Sequence, residues 1–111
     1  MIAPMRFGDP VIVDVSLGAR GYDIAIGRGL VAELATRIAA LRPDASAMIV
    51  TDETVAGHHL GAAEAALNAR LRAKPVIIAP GEGSKSWRVL EDVCEALLAA
   101  RIERGDLIIA L

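Results

Sequence analysis

Aromatic side chains are nearly missing: Trp, Tyr and Phe occur once each, 3% of the chain. Any core must therefore be aliphatic, because apolar residues still make up 54% of the 111 residues. Ile, Val, Leu and Ala cores of this kind suit helices packed on a buried sheet. Cysteine is just as scarce. Cys94 stands alone, which excludes a disulfide framework and a cysteine zinc knuckle. There is no run of one charge sign and the formal net charge is −2, so neither a nucleic-acid partner nor a membrane surface is expected. No window reaches the ~20 apolar residues of a spanning helix. The opening MIAPMRFGDP lacks the apolar segment and cleavage pattern of a secretion signal. These absences make the cytoplasm the expected location.

What is present is a globular composition, with 23% charged residues. The length fits one domain or part of one. A chain of this size buries roughly two-thirds of its unfolded surface. VIVDVSL (11–17) and YDIAIG (22–27) each alternate apolar and polar positions around the glycine-rich GARG (18–21). They read as an antiparallel hairpin with a four-residue connection. From Gly29 the period changes. Leu30, Leu34, Ile38 and Leu41 form one helical stripe that Pro43 ends. SAMIVT (46–51), PVIIA (75–79) and DLIIAL (106–111) are apolar runs of strand length. Between them, residues 52–73 carry Val55, Leu60, Ala63, Leu67 and Leu71, a helical face with some drift. Residues 84–105 form the strongest helix, with Ser84 or Ser86 as N-cap, Leu90, Val93, Leu97 and Ala100 as its stripe, and Gly105 as C-terminal cap.

The order is hairpin, helix, strand, helix, strand, helix, strand. Apolar runs alternating with amphipathic helices are βαβ units, which force a parallel sheet with helices on its faces. The fold class is α/β: a mostly parallel sheet flanked by helices, preceded by a β-hairpin. The last run, LIIAL, has neither turn nor helix after it, so the expectation is the front part of a larger protein.

In open parallel sheets, ligands bind beyond the carboxyl ends of the strands. TDET (51–54) and PGEGSK (80–85) occupy two such ends. Asp52 can cap the following helix or accept hydrogen bonds from ribose hydroxyls, and capping is the plainer reading of the local sequence. In PGEGSK the glycines permit positive φ and close backbone approach. Ser84 and the amides after it offer a helix N-terminus, which favours anions. Lys85 adds a mobile positive charge, and Glu82 can accept from ribose. The segment is neither GxxxxGK[ST] nor GxGxxG, and spacing alone leaves a ligand loop and an ordinary turn both open. His58 and His59 are adjacent, so they point about 100° apart on a helix and form no metal pair; they read as surface residues. Cys94 is expected to be a small buried hydrophobe, and Trp87 to pack against a neighbouring element. Glu91, Asp92, Glu95 and Glu103 look like a solvated face. No catalytic triad and no metal cluster can be assembled.

Taken together, VDVSLGARGYDIAIGRGL (13–30), IVTDETVAGHHL (49–60), PGEGSKSWRVLEDVCEALL (80–98) and RIERGDLIIAL (101–111) resemble the N-terminal region of the 3-dehydroquinate synthase family. The family pattern runs Y-x-I-x-I-G, T-D-x-N-V, G-E-x-x-K and R-x-D-x-(I/L)-(I/V)-A-L-G-G-G, and the four segments stand in register with it. The resemblance implies a Rossmann-like partial domain. On that basis residues 1–111 are the N-terminal part of a nucleotide-binding α/β domain, cut before the triple-glycine loop, without the helical metal-binding domain. It implies conversion of 3-deoxy-arabino-heptulosonate 7-phosphate, a small sugar phosphate, into 3-dehydroquinate in the shikimate pathway. NAD oxidises a substrate alcohol transiently, phosphate is eliminated, the ketone is reduced back, and an aldol step closes the ring. A divalent metal, zinc or cobalt, takes part, held by one Glu and two His further along the family's chain.

The resemblance assigns Asp52 to ribose. It assigns Gly81, Glu82, Gly83, Ser84 and Lys85 to an NAD loop. Thr54 joins the cofactor set although the pattern usually has Asn there, and Pro80 stands where Asp is common. No catalytic residue and no metal ligand is carried over. The expectations are an inactive chain with weak or no NAD binding, a homo-oligomeric parent, and self-association of the chain through bare apolar surface. The alternatives are a related sugar-phosphate cyclase such as 2-deoxy-scyllo-inosose synthase, a metal-dependent alcohol or glycerol dehydrogenase, and a non-catalytic α/β interaction module.

Overall fold

A computed structural model describes residues 9–111. The reading of the N-terminus as no secretion signal falls mostly on residues 1–8, outside the described part. The chain divides into two units, Met1–Leu30 and Val31–Leu111.

The first unit holds the hairpin. Strands β1 (Val11–Val15) and β2 (Tyr22–Ile26) pair antiparallel, with Val11 opposite Ile26, Val13 opposite Ile24 and Val15 opposite Tyr22. Directly opposed residues share a face, so these six form one apolar face. Asp14 lies opposite Asp23 on the other face. The expected four-residue connection is longer. β1 ends at Val15, and residues 16–21 make the turn around a 3-10 segment, Gly18–Arg20. Gly18 has φ +61°, a conformation that favours glycine.

The second unit is the α/β layer. A 3-10 turn, Leu30–Glu33, leads into helix α1 (Leu34–Leu41), which ends before Pro43 as expected. Leu41 is 77% exposed and is not part of the buried stripe, because α1 has already reached its last residue there. Strand β3 (Ala47–Asp52) follows. Next come one α turn, α2 (Glu53–Val55), a π segment, Ala56–Leu60, and helix α3 (Gly61–Leu67). The π segment accounts for the drift in the apolar stripe: Val55 and Leu60 are five apart, the spacing a π turn brings into line. The helix stops well short of residue 73. Asn68 has φ +43°, a 3-10 turn spans Asn68–Arg70, and Leu71 bridges to Ala47. The chain there has already turned to enter the sheet.

Strands β4 (Val76–Ile78) and β5 (Leu107–Ala110) flank β3, in the order β4-β3-β5, and both pairings are parallel. The central strand is the buried one: Ala47 and Ile49 are fully buried and Met48 nearly so. A continuous apolar run is what a strand covered on both faces requires. Successive side chains alternate between faces. Ile49 packs with Ile38, Ala63 and Leu67 from α1 and α3. Met48 looks the other way and shares a depression with Ala96 and Ala99 of helix α4 (Trp87–Ala99) and with its C-cap, Ala100. Helices therefore cover both faces of the sheet.

Four expectations for α4 need correction. Its C-terminus is not at Gly105. Arg101 takes φ +58°, its N–H donates to the Leu98 carbonyl and the Ile102 N–H to that of Leu97. These are the two bonds of a Schellman motif, with Arg in the place glycine usually holds. Trp87 is 86% exposed and is not packed into a neighbouring element. Cys94 is exposed, not buried. The helix has two apolar stripes. Val89, Val93, Ala96, Leu97 and Ala100 are half-buried, while Trp87, Leu90, Cys94 and Leu98 face outward. Leu90 thus leaves the expected inner stripe. The acids Glu91, Asp92, Glu95 and Glu103 are exposed as expected, and so are His58 and His59.

Candidate functional site at the carboxyl edge of the sheet

Parallel pairing aligns the ends of the three strands. Asp52 stands opposite Ile78, and Val50 opposite Ala110. The TDET and PGEGSK segments therefore leave the sheet at the same edge.

Asp52 is the last residue of β3 and the N-cap of α2. Its extended backbone (φ −100°, ψ 168°) aims the carboxylate back at the helix start, where Oδ1 accepts the Val55 N–H at 2.8 Å. Capping is thus the observed role. A carboxylate offers about four acceptor positions, so capping leaves capacity for ligand hydroxyls. Thr54 lies in the first turn of α2 and is exposed.

The PGEGSK loop is tied to itself. Gly81 has φ +92°, which starts a 3-10 turn, Glu82–Ser84. The Ser84 hydroxyl donates to the Ala79 carbonyl at the end of β4. The Ser84 N–H reaches the Gly81 carbonyl at 3.2 Å and the Lys85 N–H that of Glu82 at 3.0 Å. The Lys85 ammonium pairs with the Glu82 carboxylate at 3.0 Å, both side chains well exposed. A Cβ placed on Gly83 would meet nothing within 4 Å, so this backbone is open to a ligand. Of the two candidate caps, Ser86 is the one used: its hydroxyl accepts the Val89 N–H at 3.2 Å. Beside the loop lies an open depression of about 410 Å³, lined by Ser84, Lys85 and Ser86 and by the apolar Trp87, Val89, Leu90 and Val93. Asp52 and Thr54 share the sheet edge with the loop but do not line that depression.

Two residues that matter here escaped the sequence reading. Thr51 is buried, 4% exposed, and its hydroxyl donates to the Leu111 carbonyl at 3.1 Å. Its only sequence signal is a hydroxyl at the end of an apolar run. Asp106 sits at the opposite edge, just before β5. It accepts the Ser46 N–H at 3.0 Å, the Glu103 N–H at 2.9 Å and the Arg72 guanidinium at 3.1 Å. The amides of Glu103 and Ser46, followed by the Arg72 charge, hold its carboxyl below the ordinary range, against the opposing effect of burial. An acid directly before an apolar strand, as in ERGDLII, was the available signal.

No group of three or more His, Cys, Asp and Glu among the described residues is placed to hold a metal ion. No helix among them is long and apolar enough to cross a membrane. No family model matches the chain. Its sequence aligns from end to end with known proteins.

The chain is similar throughout to 3-dehydroquinate synthases.

The synthase of Bradyrhizobium sp. strain BTAi1 is 55% identical over the whole chain, that of Nitrobacter hamburgensis 54%, and that of Bradyrhizobium diazoefficiens 53%. The chain spans 29% of the length of each of these synthases. Similarity to the synthases covers the hairpin and the parallel sheet alike, so it includes every residue of the edge just described.

Proposed function

We propose that this chain forms part of the NAD-binding domain of a 3-dehydroquinate synthase, a lyase of the shikimate pathway acting on 3-deoxy-arabino-heptulosonate 7-phosphate. The observation that carries the reading is end-to-end identity of 50–55% with proteins of that name. Supporting it, the residues assigned to the nucleotide leave the sheet together at its carboxyl edge, where open α/β sheets bind ligands.

The residues present suit part of a dinucleotide site. Asp52 accepts ribose hydroxyls with the acceptor capacity that capping leaves. Gly81 and Gly83 let the backbone approach the ligand without a Cβ in the way. Glu82 accepts from a ribose, and Lys85 turns from Glu82 to a phosphate oxygen. Ser84 holds the loop to the end of β4, and Thr54 offers a hydroxyl from the first turn of α2. NAD, when bound, supplies a reversible hydride acceptor. These residues bind and orient it; none of them moves a proton in the reaction. None of these residues takes part in holding zinc or cobalt. The chain by itself is inactive and binds NAD weakly or not at all; the enzyme it belongs to is a cytoplasmic homo-oligomer.

The test compares the 111-residue chain with the complete product of its gene. The complete product is expected to release inorganic phosphate from the heptulosonate phosphate, dependent on NAD and a divalent metal. The chain alone is expected to form no dehydroquinate above background. No phosphate release by the complete product overturns the synthase reading. Turnover by the chain alone overturns its assignment as a partial site.

A further inference from the structure

Thr51 is the one polar residue in the buried part of β3, and its hydroxyl reaches across to the neighbouring strand. The Leu111 N–H donates to the Val50 carbonyl at 3.1 Å. The Leu111 carbonyl accepts the Thr51 hydroxyl, also at 3.1 Å. Both backbone groups of Leu111 are therefore held by two consecutive residues of β3. The next residue is Asp52, whose carboxylate is itself fixed on the Val55 amide. One short stretch, residues 50–52, thus ties together the carboxyl end of β5 and the start of α2.

We infer that Thr51 is a positioning residue of the nucleotide site: its hydroxyl clamps the carboxyl end of β5 against β3, one residue from Asp52. This rests on the synthase reading given above. The physical basis is the cost of an unmatched polar group. A half-buried carbonyl deprived of its donor is disfavoured, and the backbone around it opens to find water. A freed β5 end then shifts relative to Asp52, and a ligand spanning both loses alignment. Thr51 contacts no ligand in this scheme; it acts through the Leu111 backbone.

Two substitutions separate the hydroxyl from packing. Thr51→Val keeps the shape and removes the donor, and Thr51→Ser keeps the donor and removes a methyl group. In the complete gene product, where the Leu111 carbonyl belongs to a peptide bond, hydrogen exchange read by NMR should show the Leu111 amide exchanging roughly tenfold faster in Thr51→Val, with the Ile49 amide changed less than about threefold. Thr51→Ser should restore Leu111 to near the wild-type rate. Equal acceleration at Leu111 and Ile49, or no change at Leu111, overturns the clamp. In the complete gene product, Thr51→Val should raise KM for NAD by about tenfold with kcat within about twofold, and Thr51→Ser should match wild type. Unchanged KM in Thr51→Val, or the same loss in both variants, overturns the positioning role. A wild-type product that binds no NAD strikes the synthase reading instead, and the exchange result then still decides the clamp.

Discussion

The Lys85 ammonium lies 3.0 Å from the Glu82 carboxylate, three residues earlier in the same loop. These two of the residues proposed for the nucleotide are thus each other's partner. Exposed pairs of this kind contribute about 0–1 kcal/mol, so a phosphate can displace Glu82 from Lys85 at little cost. Lys85→Met and Glu82→Gln are each expected to change the stability of the chain by less than about 0.5 kcal/mol. Urea unfolding checks this, and a loss above 2 kcal/mol would show that the pair braces the loop.

Asp52 caps α2, and the role proposed for it on a ribose is separable from that capping. Asn caps helices about as well as Asp, whereas Ala costs about 1 kcal/mol. Asp52→Asn should therefore leave stability near wild type, and Asp52→Ala should lower it by about that amount. Both should weaken NAD binding by the complete gene product. Equal destabilisation by Asn and Ala would show that the charge at the helix start matters more than the capping bond.

Asp106 makes stability depend on acid. Its carboxyl is held below the ordinary value of 3.8 in the folded chain. Between the folded and unfolded values the unfolded form binds more protons, so the stabilisation is full above about 3.8 and is lost as pH falls through the folded value. Thermal melts should show Asp106→Asn below wild type at neutral pH, with the gap closing in acid. A constant gap from pH 7 down to pH 2 contradicts this.

Arg101 holds a left-handed conformation at φ +58° to close the C-terminus of α4. A non-glycine residue there costs of order 1 kcal/mol or more, partly offset by the unfolded-state entropy that glycine brings. Arg101→Gly is expected to stabilise the chain by about 0.5–1 kcal/mol, read from the urea midpoint. A net loss would mean that the Arg side chain itself supports the helix end.

The outward stripe of α4 is bare, with Trp87 86% and Leu98 74% exposed. Exposed apolar patches of this kind drive association. Trp87→Ser with Leu98→Glu should change unfolding free energy by less than about 1 kcal/mol. The same pair should lower the average mass of the chain in sedimentation. Unchanged mass would place any association elsewhere.

Much of this architecture is written locally. The runs AMIV, VII and LIIA are short, rich in Ile and Val and separated by helical stretches, which is the pattern of parallel strands. Asp52 and Ser86 cap helices because each stands where a strand or loop meets a helical stripe. What stayed hidden depends on partners far along the chain. Both stripes of α4 have helical period, so Val93 and Cys94 look equally eligible for the core. Only the position of Met48 and β4 selects the stripe containing Val93. The π segment between Val55 and Leu60 looked like mere drift in the pattern. Its effect is to bring Leu60, Ala63 and Leu67 onto Ile49.

The sequence by itself determined the order of elements, the parallel sheet and the edge at which Asp52 and the PGEGSK loop emerge, because periodicity and capping act over a few residues. Tertiary structure alone decided that β3 is central, that Thr51 holds Leu111 and that Asp106 gathers Ser46, Glu103 and Arg72. Thr51 and Asp106 find partners as many as 60 residues away. Such hydrogen bonds depend on strand order and register, which no local pattern encodes.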